Sequence, residues 1–267
     1  MDITGVPSYP PPPSGAPEVA GERIDWTPKD VLFGVFWFIG LFVIGQIVIV
    51  PFALAWGTKS GQLYTAAFVV GAIVEVALAL VAAHLTFRRY GGSWDRLGVR
   101  APTGSTLLWA MAAFVAALVL SAIYAAIINV FNLDFLKTKC AEQIPKEVRD
   151  QRALLALASV TVIAFAPVCE ELFFRGFIFT GLSRRWGIAA GIIASGALFG
   201  AAHLLPKSFI PIAGVGMIFA YAYYRSRNIL STMMAHLAFN SLSIAAIAAG
   251  SCDTTSTSSV LLRWFVR

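Results

Sequence analysis

Charge is what this sequence lacks most. Of its 267 residues only 13% are Asp, Glu, Lys or Arg, against the roughly 25% of an ordinary soluble domain. That shortage excludes a water-soluble globular protein. It also excludes a disordered or acidic-tail partner, which depends on charge for its solvation. Cysteine is sparse as well: Cys140, Cys169 and Cys252 are the whole set. They form no CxxC pair and no Cys/His cluster, so no structural zinc site of the finger type is encoded. The HExxH pattern of helix-borne zinc proteases is missing. The net charge of +6 is not gathered into a basic patch interleaved with stacking aromatics, so nucleic acid is not expected as a partner.

Apolar residues fill the space that charge leaves. They make up 58% of the chain and fall in long blocks, several exceeding the roughly 18–20 residues that cross a bilayer as helix. The expected fold is an all-α, polytopic transmembrane bundle of about seven spans: 31–56, 63–87, 105–131, 153–182, 188–205, 209–224 and 229–249. The chain divides into a proline-rich tail (1–30), N-terminal transmembrane helices (31–149), a core carrying the chemistry (150–250) and a C-terminal tail (251–267). VPSYPPPPSGAP at 6–17 cannot pack a core and reads as a flexible tail, although such a run also suits SH3-like grooves. No cleavable signal peptide is expected, because Asp2 is acidic and the first apolar run starts late.

Basic residues follow alternate spans: Arg88, Arg89, Arg96 and Arg100, then Arg184 and Arg185, then Arg225 and Arg227. The positive-inside rule then places the N-terminus in the cytoplasm, in a multi-pass protein of the plasma membrane with the bilayer as its surroundings. Cys140 and Cys252 fall on the opposite side, where a disulfide between them and two free thiols are both open. The segment 153–182 is the difficult one. As one helix it runs ~45 Å against a ~30 Å hydrocarbon core, so it must tilt, kink at Pro167 or consist of two pieces.

An ionisable side chain at bilayer depth costs at least a few kcal/mol and marks a functional site by default. Seven stand out: Glu75, His84, Glu170, Glu171, Arg175, His203 and His236. Glu75 is expected to bond a polar group on a neighbouring helix, and His84 to reach headgroups near Arg88. The others cluster. Glu171 and Arg175 are i and i+4 on one helix face, acid first, which lets the pair neutralise itself. Glu170 points about 100° away and is the carboxylate left for chemistry. Phe199 and His203 repeat the i, i+4 spacing on a helix built for close approach, with small residues at Gly187, Gly191 and Ser195 and again at Gly196 and Gly200. His236 and Asn240 share a face and can both present N–H donors to one point, as an oxyanion site requires. Glu170 and His203 each lie about sixteen residues from the turn at 184–187, so in a hairpin both stand ~24 Å from it. That equal depth points to a Glu170–His203 pair.

Glu170-Glu171-x-x-x-Arg175, Phe199-x-x-x-His203 and His236-x-x-x-Asn240, in this order and each inside an apolar segment, resemble the three motifs of the CPBP intramembrane proteases, the CAAX-processing, Abi or Rce1-type family. The resemblance covers roughly residues 150–250. It implies a helical intramembrane endopeptidase. Glu170 and His203 would activate a water, His236 and Asn240 would stabilise the oxyanion, and Glu171, Arg175 and Phe199 would support the site. Zinc stays open: Glu170, His203 and His236 make a three-ligand set on paper, and the same residues can activate water directly. The substrate would be a membrane-associated protein or peptide, prenylated or of leader type. Two other classes compete. One is a non-catalytic scaffold that regulates a partner membrane protein. The other is a transporter using Glu75, Glu170 and the histidines as an ion path.

Overall fold

A computed structural model describes residues 26–90, 93–137 and 144–249. The 6–17 proline run, Cys140, Cys252 and the 251–267 segment lie outside these residues. Seven long helices account for most of the rest: α1 (Pro28–Trp56), α2 (Gly61–Tyr90), α3 (Gly104–Val130), α4 (Arg152–Trp186), α5 (Ile188–Ala202), α6 (Phe209–Ser226) and α7 (Ile229–Ala248). Among the described residues there is no strand. The chain is an integral membrane protein of the all-α, polytopic type. Helices α1, α2, α3, α4 and α7 are each long and apolar enough to cross a bilayer. Helix α5, with 15 residues, reaches only ~22 Å and packs inside the bundle.

Local signals set the helix ends. At the start of α1 the Asp30 carboxylate accepts the Thr27 backbone N–H at 2.8 Å and its hydroxyl at 2.9 Å, with Pro28 at the first helical position where its missing N–H costs nothing. Packing extends ahead of this cap. Trp26, within the stretch read from sequence as tail, is 2% exposed and donates its indole N–H to the Phe177 carbonyl at 2.9 Å. Thr103 and Thr106 cap α3 reciprocally. Asn228 caps α7 by accepting the Leu230 N–H, while its amide group reaches back to the Arg100 and Ala101 carbonyls.

Of the three options for the ~45 Å segment, two separate pieces is the one not taken. Helix α4 neither breaks nor splits at Pro167; it runs unbroken for 35 residues. Two stretches widen to π geometry, Thr161–Phe165 and Leu172–Phe179. The first ends at Phe165, with only Ala166 between it and Pro167, so the wider turn takes up the register that the proline ring and its absent N–H disturb. Side chains stabilise both stretches by donating to their carbonyls. Asn240 donates to Val162, Ser195 to Phe174, Thr180 to Arg175 and Trp26 to Phe177, each at 2.9 Å.

Glycines let α4, α5 and α6 touch at backbone distance. A Cβ at Gly191 would lie 2.8 Å from the Ser183 Cα, and one at Gly200 2.8 Å from the Ala213 Cβ. The small-residue spacing of α5 therefore packs it between α4 and α6, as its sequence implies. Gly176 does the same for a single turn, Trp94–Leu97, whose Leu97 carbonyl would stand 2.9 Å from an added Cβ. Gly98 follows in the left-handed region (φ 84°), with the Tyr223 ring against it.

Candidate active site

The ionisable residues of α4 sit where the helix widens. Glu170 and Glu171 end the short α-helical stretch between the two π segments, and Arg175 lies inside the second. Glu171 and Arg175 are fully buried and joined at 2.8 Å, Oε1 accepting from Nη1. Arg175 also donates to the Gly216 carbonyl at 3.3 Å and stacks its guanidinium 4.3 Å from the Phe199 ring centre and 5.4 Å from that of Phe219. The i, i+4 pairing read from sequence holds even through the π turn. Glu171 also reaches α7, where the same Oε1 accepts a hydrogen bond from His236 Nδ1 at 2.9 Å.

His236 is thereby oriented. It is 5% exposed, packed edge-on to Phe199 and tilted against Phe219. With Nδ1–H given to Glu171, its Nε2 faces Glu170 Oε2 at 3.7 Å, beyond hydrogen-bond length. Glu170 Oε2 is buried and has no hydrogen-bond partner in the protein. Glu170 is thus the carboxylate not consumed by Arg175, as its position on the helix implies.

The pairing of Glu170 with His203 needs correction. The imidazole neighbour of Glu170 is His236, on α7, and no hydrogen bond or ion pair joins Glu170 to His203. His203 stands at the C-terminal cap of α5, its Nδ1–H donated to the Phe199 carbonyl at 2.8 Å and its ring 4.7 Å from that of Phe199. Its Nε2 keeps the lone pair. Phe199 therefore touches both histidines and Arg175. Asn240, one turn past His236, gives one amide hydrogen to the Val162 carbonyl.

The three residues weighed as zinc ligands do not form a ligand set. Among the described residues no three His, Cys, Asp or Glu side chains converge as a metal-binding group. Glu170 and His236 approach each other, while His203 is held off by its bond to Phe199.

Residues 152–242 match the family described as type II CAAX prenyl endopeptidase, Rce1-like. Over this stretch the chain is similar to the CPBP proteases. It is also similar to the Bacillus subtilis (strain 168) protein named "Putative membrane peptidase YdiL", with 25% identity over 214 residues that cover 77% of this chain and 86% of that relative. No solved structure matches the chain. The CPBP match spans all three motifs but stops short of α1–α3.

Two contributions come from outside that stretch. Glu75, on α2, does not satisfy its carboxyl on a neighbouring helix as expected: its Oε2 is buried without a hydrogen-bond partner. The Arg-Leu-Gly-Val-Arg segment at 96–100 turns out to support the site's scaffold. Leu97 is fully buried against the π segment, and the Gly98 carbonyl accepts the Ile229 N–H at the head of α7. The signal for Glu75 was its charge at bilayer depth. Nothing in the 96–100 residues betrays their role except the glycine. His84, by contrast, is exposed near the end of α2.

Proposed function

We propose that this protein is an intramembrane endopeptidase in which Glu170 activates the attacking water. The observation that carries the reading is the division of labour between adjacent carboxylates. Glu171 is committed through Oε1 to both Arg175 and His236, while Glu170 bonds neither and stands beside an oriented imidazole. A base with that freedom takes a proton from water as the oxygen adds to a peptide carbonyl. The negative charge that develops on the carbonyl oxygen is met by the Nε2–H that His236 carries when protonated and by the second amide hydrogen of Asn240, the first being held by Val162. Glu170 passes that proton to the departing amine as the C–N bond breaks, and His203, with its lone pair at Nε2, is assigned to accept the second proton from the hydroxyl of the tetrahedral intermediate. Because the donors do not converge as ligands, no step passes through a metal.

The substrate is a membrane-associated protein or peptide. An apolar cavity of about 270 Å³ opens between α1, α4 and α5, walled by Phe38, Phe173, Phe174, Leu198 and Ala202. Phe174 packs edge-on to Phe199, so this cavity adjoins the site and suits an apolar part of the substrate, as a prenylated or leader-type chain would carry. The test is Glu170→Gln in proteoliposomes with a mixed quenched-peptide library. Cleavage should fall by at least ~10²-fold with thermal unfolding unchanged. Full cleavage by the variant refutes the assignment, and no cleavage by the wild-type protein favours the scaffold reading.

A further inference from the structure

Glu75 is a half-buried residue whose carboxyl the proposed chemistry does not use. It lies mid-way along α2, which packs directly on the Ala166–Glu171 stretch of α4. Its Oε2 is buried without a partner, and so is Oε2 of Glu170. The two carboxyls lie within electrostatic reach of each other, with the buried Cys169 thiol in reach of both. Two unpartnered oxygens at bilayer depth are costly unless something donates to them. A thiol is a weak donor, and Arg175, the nearby cation, has its Nη groups on Glu171 and Gly216. The His236 nitrogen that faces Glu170 stands beyond bonding length.

We propose that Glu75 is a further member of the hydrolytic site: its Oε2 and that of Glu170 hold one water between them, and Glu75 fixes the position from which that water attacks. A water offers two hydrogens, one to each carboxyl oxygen, so both orphans are satisfied at once. Glu170 then removes the proton it already accepts, and Glu75 keeps the other hydrogen bond while the oxygen adds to the carbonyl. The proposal rests on the hydrolase reading and adds a residue to it from outside the 152–242 stretch.

Steady-state kinetics on a quenched peptide selected by the wild-type protein, run beside Glu170→Gln, tests it. Glu75→Leu should lower kcat by about tenfold or more, the worth of one hydrogen bond to a reacting group, with KM within about twofold. Glu75→Gln, whose amide oxygen still accepts from water, should recover most of kcat. Thermal stability of Glu75→Leu should be unchanged or raised, since an apolar side chain at bilayer depth needs no hydrogen-bond partner. A purely structural Glu75 would instead lose stability and activity together. Full kcat in Glu75→Leu, with Glu170→Gln inactive, overturns the role of Glu75 and leaves the hydrolase reading standing. Equal cleavage by wild type and Glu170→Gln sinks that reading instead. A crystal structure from lipidic mesophase then decides the water by itself. A water bonded to both carboxyls supports the proposal, and a direct Glu75–Glu170 hydrogen bond overturns it.

Discussion

Replacing Glu171 by Gln removes the charge that compensates a fully buried guanidinium. Arg175 and Glu171 have no exposed side-chain surface and meet at 2.8 Å. Breaking one half of such a pair typically costs ~3–5 kcal/mol, most of it the uncompensated charge that remains. Arg175 retains the Gly216 carbonyl at 3.3 Å and the Phe199 and Phe219 rings. A desolvated guanidinium on an aromatic face keeps ~2 kcal/mol of attraction, so the loss should lie at the low end, about 3 kcal/mol. Activity should fall as well, because the same Oε1 holds His236 by its Nδ1. The assay is equilibrium unfolding in mixed micelles with a titrated denaturing detergent. The decisive control is the double variant Glu171→Leu/Arg175→Met, which removes both charges. It should be more stable than Glu171→Gln and within ~1 kcal/mol of wild type, yet remain inactive. If Glu171→Gln unfolds within ~1 kcal/mol of wild type, the buried pair does not hold this part of the bundle together.

Three other perturbations follow from contacts of α4 and the donor set. Gly176→Ala sets a methyl 2.9 Å from the Leu97 carbonyl and should cost ~1–3 kcal/mol by overpacking; an unchanged melting temperature would show that the Trp94–Leu97 turn moves freely. Ser195→Ala strips the Phe174 carbonyl of its donor inside the second π stretch. A loss of ~1–3 kcal/mol is expected, and hydrogen exchange localised to residues 172–179 would register it. Because Glu170, His203 and His236 do not converge as ligands, activity should survive exhaustive EDTA dialysis; loss of activity restored by added zinc would overturn the metal-free mechanism.

Much of this molecule was legible in its sequence because bilayer physics leaves few choices. Apolar runs had to be helices, and the ends of α1, α5, α6 and α7 fall within a few residues of the runs that announce them. Charge at bilayer depth had to mean partners, and the i, i+4 spacing of Glu171 and Arg175 named one pair correctly. What the sequence hid is rotation. A residue count from the 184–187 turn gives depth, and depth alone put Glu170 level with His203. Which way each side chain points depends on the turns between, and an extra residue in a π turn swings everything beyond it by about 100°. Helix α4 contains two such stretches, one on each side of Glu170 and Glu171.

The same two stretches explain why the site draws on the whole bundle. A widened turn leaves carbonyls poorly served by the helix's own N–H groups, and in an apolar setting each needs another donor. Donors come from Trp26 ahead of α1, from Ser195 on α5 and from Asn240 on α7. These three lie outside α4, and only Thr180, which serves the Arg175 carbonyl, belongs to it, so a window along α4 holds one donor of the four. Asn240 shows the consequence most directly. Its amide both props the Val162 carbonyl and stands one turn from His236, so it couples the shape of α4 to the placement of an oxyanion donor. Removing Asn240 should therefore disturb α4 and the chemistry together, whereas removing Glu170 should touch the chemistry alone.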